Sequence, residues 1–141
     1  MSPEHKTIVK STWSQVVPIA DRASTLFYDR LFTLDLSLRP MFEDVDMKEQ
    51  RKKLMQALAS VVNGLDHLDS LIPVLENLGR SHRRYGVTDQ HYETVGAALL
   101  WTLEQGLAST WTLAVESAWM AAYQAVAGIM RRAANDAASA A

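Results

Sequence analysis

Apolar residues recur along this chain at steps of three and four, and strict alternation of apolar and polar positions is missing, so the pattern predicts helices and no sheet. Ser2-Pro3-Glu4 makes a good helix start: a capping hydroxyl, a proline suited to the first helical position and an acid at the positive dipole end. That helix is expected to run to about Val17, with Pro18 marking a corner. A second is expected from Ile19 to Leu34, carrying Leu26, Phe27, Tyr28, Leu31 and Phe32, followed by an irregular segment through Pro40, Met41 and Phe42.

Asp46 and Glu49 have capping-box spacing and predict the start of a long helix. Gln50, Leu54, Ala57, Leu58, Val61 and Leu65 fall on one of its faces, apolar except for Gln50. Gly64 through Ser70 reads as a connection. Leu71, Leu75, Leu78 and His82 then share a face, so His82 continues an inward stripe while Arg80 and Arg83 point elsewhere. Tyr85-Gly86 should break that helix. Thr88 or Asp89 can cap the next, through Val95, Leu99, Leu103 and Leu107, and Thr112 the last, through Trp119, Tyr123, Val126 and Met130. The alanine-rich tail, residues 133–141, has little to bury and is expected to fray.

Composition narrows what such a bundle can do. With 141 residues, 48% of them hydrophobic, the chain can bury one core, and a single domain over 1–141 is expected, its core about residues 4–132. Fourteen basic and sixteen acidic residues leave a net charge of −2, no footprint for nucleic acid. No apolar run is long enough for a membrane span and the N-terminus lacks a secretory signal, so no membrane partner and a cytoplasmic location are expected. With no cysteine, thiolate metal sites and cysteine nucleophiles are excluded. Nucleophile elbows, phosphate-binding glycine loops and metalloprotease helix motifs are also missing.

Of the four histidines, His5, His67 and His91 lie near helix ends or connections and read as surface groups. His82 differs by sitting on an apolar stripe. Spacing alone leaves it open between a satisfied core histidine and a metal ligand, Gln50 between a solvated first-turn residue and a pocket donor, and Tyr28 between core packing and a pocket hydroxyl. No second histidine or carboxylate lies three or four residues from His82 on its face. A porphyrin-held iron requires only one protein ligand, since the macrocycle supplies the four in-plane nitrogens. Arg51-Lys52-Lys53, and Arg80 with Arg83-Arg84, read first as solvated faces and otherwise as partners for cofactor carboxylates.

The order LFYDRLF, RPMF, EQRKKLM, LGRSHRRYGV, HYETVG and AWMAAY, over about residues 4–132, resembles the globin family, in its branch of flavohaemoglobin-like single-domain bacterial haemoglobins. The resemblance implies an all-α globin fold of seven to eight helices sandwiching haem b, iron protoporphyrin IX. His82 would be the proximal iron ligand, its second ring nitrogen bonded to a carbonyl near Leu78. Phe42 would pack flat on the haem, Leu54 would wall the space over the iron, and Val87 and Val95 would touch the proximal side. Lys53 or Arg84 would meet the propionates. Tyr28 and Gln50 would be the distal donors to bound gas, giving high oxygen affinity with slow release.

Function is expected to be reversible binding of oxygen, nitric oxide and carbon monoxide, by a monomer or weak homodimer. The alternative is a nitric oxide dioxygenase; a flavin reductase domain follows the globin in flavohaemoglobins, and this chain, ending at Ala141, would need an external reductase. Peroxidase activity is a third expectation, disfavoured because Tyr92 preserves the family's proximal tyrosine while Ala134 falls where its glutamate partner belongs, with Asp136 two residues away. Trp101, off its helix stripe, reads as a partly covered surface aromatic or a subunit contact. A cofactor-free helical interaction domain is the remaining alternative.

Overall fold

The computed structural model describes the backbone of residues 1–140 and the side chains of residues 1–136. Among the described residues there are six α-helices and no strand: α1 (Pro3–Val16), α2 (Ala20–Leu34), α3 (Met47–Asn63), α4 (Leu68–Arg84), α5 (Asp89–Leu107) and α6 (Leu113–Ala140). Four short 3-10 segments join them, at Val17–Ile19, Leu36–Phe42, Leu65–His67 and Ala108–Thr110. The count of α-helices is therefore below the expected seven to eight. The segment most eligible to add one, Leu36–Phe42, contains Pro40, which donates no backbone hydrogen bond, and stays a 3-10 turn.

Local chemistry accounts for several helix ends. The Ser2 hydroxyl accepts from the His5 amide at 3.1 Å, and Pro3 occupies the first turn of α1. Asp46 accepts from the amides of Lys48 and Glu49 at 3.0 and 3.4 Å, whereas Glu49 makes no return bond among the described residues. The reciprocal capping box belongs instead to Thr88 and His91: the His91 amide donates to the Thr88 hydroxyl, and the Thr88 amide to His91 Nδ1. The chain leaves α4 through Gly86, whose φ of +92° suits a residue without a Cβ.

Helix α6 covers the alanine-rich stretch after Arg132. The helix continues through Ala140, and Ala133 and Ala134 are buried, because small side chains let α6 lie close against its neighbours. Ala141 lies outside the described residues.

Helix α6 is the backbone of the assembly. It packs along α1 at one end and along α4 at the other, while α2 crosses α5 and α3. Trp119 of α6 donates its indole N–H to the Thr12 hydroxyl at 2.8 Å, tying α6 to α1 in the core. Gly79 lets α4 approach α6 so closely that a Cβ there would fall 2.2 Å from the Met130 carbonyl oxygen. Among the described residues, only the Leu65–His67 turn besides α6 packs substantially on α4; α3, the preceding helix, does not.

The apolar interior is consequently split. The larger cluster gathers residues of α1, α2, α3, α5 and α6 around Val9, Phe27, Leu65 and Trp119. The smaller one, Leu75, Tyr92, Ala127 and Met130, lies under α4. Val61 and Tyr123 touch both.

Candidate functional site

Helices α3 and α4 pack little on each other, their stripes meeting where Val61 joins the cluster of Leu75. On α3, Gln50, Leu54, Leu58 and Val61 are half-buried, the stripe continues to buried Leu65, and Ala57 is exposed. On α4, Leu71 and His82 are half-buried, Leu75 is buried, and Leu78 remains 36% exposed. Apolar side chains on each of these two stripes are thus covered only in part, as they would be where a flat apolar group completes the packing.

The α3 stripe carries a polar pair. Gln50 Nε2 donates to the Tyr28 hydroxyl oxygen at 3.1 Å, joining α3 to α2. Tyr28 is buried among aromatic rings: Phe27 meets it edge-on at 5.0 Å, Phe42 edge-on at 5.7 Å, and Phe32 at 6.1 Å. Phe32 and Phe42 are themselves 5.4 Å apart, so the 3-10 turn is clamped onto α2 by rings. Burial pushes the Tyr28 phenol above its ordinary pKa, an effect that the Gln50 bond only partly offsets. The hydroxyl therefore keeps its proton, and because its oxygen already accepts from Gln50, that proton is left to donate.

The α4 stripe carries a single imidazole. His82 Nδ1 lies 2.6 Å from the Leu78 carbonyl oxygen one turn back, a bond that requires Nδ1 to hold the proton. Nε2 then presents a lone pair, and it meets no partner among the described residues. The Val87 amide donates to the His82 carbonyl oxygen at 3.0 Å, wrapping the end of α4 beneath the ring. No cluster of three metal-ligating side chains occurs among the described residues. The donor set is one imidazole nitrogen at the end of an apolar stripe, which fits a metal whose remaining ligands arrive with a macrocycle.

The remaining predicted residues are placed less centrally. Val95 of α5 is half-buried against the larger cluster, and Val87 against the smaller. Lys53 is exposed, and Arg84 is exposed with its guanidinium on the Ser81 hydroxyl. Tyr92 is buried below α4, where its hydroxyl has no hydrogen-bond partner among the described residues. Its pKa is raised by burial and by nearby Asp89, with Arg131 opposing. Ala134 is buried and Asp136 is exposed, so no carboxylate is turned inward from that stretch of α6. Trp101 is half-buried beneath the Arg30 guanidinium, 4.9 Å from its ring centroid, the arrangement of a covered surface aromatic.

Three contributors escape sequence reasoning. Phe32 was visible only as an apolar residue one turn after Tyr28, although that i, i+4 spacing places both on one face. The Tyr123 hydroxyl donates to the Tyr92 carbonyl oxygen, joining α6 to α5, and Gly79 sets the approach of α4 to α6. Neither of these carries a local signal.

The family model Globin matches residues 25–130. The flavohemoprotein of Vibrio cholerae is 30% identical over 125 residues, 87% of this chain and 32% of that protein. The flavohemoprotein of Bacillus subtilis is 31% identical over 128 residues, 88% of this chain and 32% of its own length. The neuroglobin of Danio rerio is 28% identical over 145 residues, 94% of this chain and 91% of that protein. The chain thus spans about a third of the flavohemoproteins it matches and nearly the whole of the neuroglobin.

Proposed function

The chain belongs to the globin family, whose members bind gases on haem, and on that premise we propose that it reversibly binds oxygen and other diatomic ligands with high oxygen affinity. The observation that carries this reading is the Gln50–Tyr28 hydrogen bond, in which the Tyr28 oxygen accepts and its own proton is left to donate.

His82 would hold haem b through Nε2, with Phe42, Leu54, Leu78, Val87 and Val95 supplying apolar contact and Lys53 or Arg84 the cations for its propionates. A bound haem supplies ferrous iron as the site for the gas. The work of the chain is then to orient and to discriminate. Leu78 fixes the imidazole tautomer through its carbonyl, and the ring cluster excludes water around Tyr28. The Tyr28 hydroxyl favours ligands that accept a hydrogen bond, and Gln50 holds that hydroxyl in place. Oxygen and nitric oxide benefit more than carbon monoxide, which is less polarised.

A second reading is nitric oxide dioxygenation, in which nitric oxide, oxygen and one electron from an external reductase give nitrate. The likeness to the two flavohemoproteins, at 30% and 31% identity, favours it. Sustained nicotinamide-driven turnover with an added reductase would support it, and a single stoichiometric oxidation would favour binding.

The decisive measurement is the visible spectrum of the haem-reconstituted protein, reduced and exposed to carbon monoxide. We expect a Soret band that shifts with carbon monoxide, and its loss in His82→Ala with partial recovery on adding imidazole. An unchanged spectrum in His82→Ala would remove His82 from the iron.

A further inference from the structure

A cleft of about 590 Å3 opens between α3 and the corner where α1 meets α2. Trp13, Met55 and Ala59 supply an apolar floor, and Asp21, Ser24 and Thr25 stand on the α2 side. Lys48, Arg51 and Lys52 line the α3 side. At 3.6 residues per turn these cations share a face of α3 with Met55 and Ala59, roughly opposite the face of Gln50 and Leu54. Tyr28, Gln50 and His82 are not among the residues that line the cleft.

Its charge is unusual for a helix surface. Lys48, Arg51 and Lys52 follow i, i+3, i+4 spacing, which sets like charges beside one another, and they crowd the first half of α3, where the helix dipole already disfavours cations. None of the three is in an ion pair among the described residues, and Arg51 is half-buried. Two carboxylates, Asp21 and Glu49, also line the cleft, so they are outnumbered and leave this wall short of negative charge. An apolar floor beneath a wall with more cations than carboxylates complements a molecule with a hydrocarbon body and one anionic end. The volume lies within the roughly 300–1,000 Å3 of small-molecule sites.

We propose that this cleft binds a small amphipathic monocarboxylate, such as a medium-chain alkanoate. The carboxylate lies against Arg51 and Lys52, where the guanidinium fork can meet both oxygens, and the chain lies on Met55 and Trp13. The occupant is a free amphiphile and not a bilayer surface.

The test is a titration with monomeric decanoate, below its micelle concentration, following the Met55 methyl and Trp13 indole resonances. Saturable shifts at those two groups are expected, with affinity at least fivefold weaker for decanol, which keeps the chain and lacks the charge. The double variant Arg51→Gln/Lys52→Gln, altered at the cleft's rim, is expected to lose at least fivefold for decanoate and to bind decanol unchanged. Equal affinity for decanoate and decanol overturns the proposal, as does undiminished decanoate binding by the variant. Shifts confined to Leu78 and Val87 would place the ligand beside α4 and also overturn it. So would binding to anionic phospholipid vesicles without binding to decanoate.

Discussion

The helices that carry Tyr28 with Gln50 and the helix that carries His82 are held by different physics. The side of α2 and α3 is a network: Tyr28 is ringed by Phe27, Phe32 and Phe42, its oxygen accepts from Gln50, and the whole rests on the larger core. The α4 side is a cantilever. It rests mainly on α6, its key side chain is anchored only to its own helix through Leu78, and the buried tyrosine beneath it has an unpartnered hydroxyl. A network tunes chemistry by small changes in hydrogen bonding, whereas a cantilever depends on the seat that holds it.

The sharpest way to break that contrast is Gly79→Ala. The added Cβ would meet the backbone of Met130, which cannot swing aside as a side chain can, so α4 must shift off α6. We expect a loss of about 3 kcal/mol in urea unfolding, at the upper end of overpacking costs. A loss below about 0.5 kcal/mol would mean that α4 has slack and is no cantilever.

The network should answer Tyr28→Phe mainly in kinetics. Oxygen release is expected to accelerate at least tenfold, about 1.4 kcal/mol in barrier, with carbon monoxide release changed far less. Stopped-flow displacement measures both. Acceleration within about twofold, roughly 0.4 kcal/mol, would strip the hydroxyl of its proposed role.

Alkaline pH probes both sides together. Burial raises the pKa of Tyr28, Tyr92 and Tyr123 above their usual value of 10.0. Above about pH 10 the unfolded chain releases phenolic protons that the folded chain keeps. The folded state then binds more protons, so stability is fully present below pH 10 and declines as pH rises beyond it. The urea midpoint should fall between pH 9 and 11, less steeply in Tyr123→Phe than in the parent; equal slopes would show that Tyr123 titrates normally.

The smallest effect is expected at Tyr92→Phe. Removing a buried hydroxyl without a partner changes stability by less than about 1 kcal/mol, in either direction, because no hydrogen bond is lost. A loss beyond about 1.5 kcal/mol would reveal a partner and make the α4 side a network as well.

Much of this architecture was legible along the chain. Ser2, Asp46 and Thr88 cap helices through bonds spanning two or three residues, and Gly86 ends α4 through its own backbone freedom, so local spacing suffices to read them. The stripes ending in Gln50 and His82 were legible for the same reason. The Glu49 return bond was not realised, and the reciprocal box formed with His91, a residue type outside the usual pattern. Burial of Ala133 and Ala134 was illegible, since alanine is equally at home in a frayed end and in a tight helix contact.

By itself the sequence determined the helical class, most helix boundaries, the stripes that carry His82 and Gln50, and through its ordered motifs the globin resemblance. These depend on residue type and on separations of one or two turns. Tertiary structure alone decided that Gln50 donates to Tyr28 across 22 residues, that α3 and α4 pack little on each other, and that Tyr123 braces the carbonyl of Tyr92 across 31. It also decided that Gly79 seats α4 on the Met130 backbone. Each is a meeting of groups far apart in the chain, set by how whole helices pack, and no local pattern encodes a distance between helices.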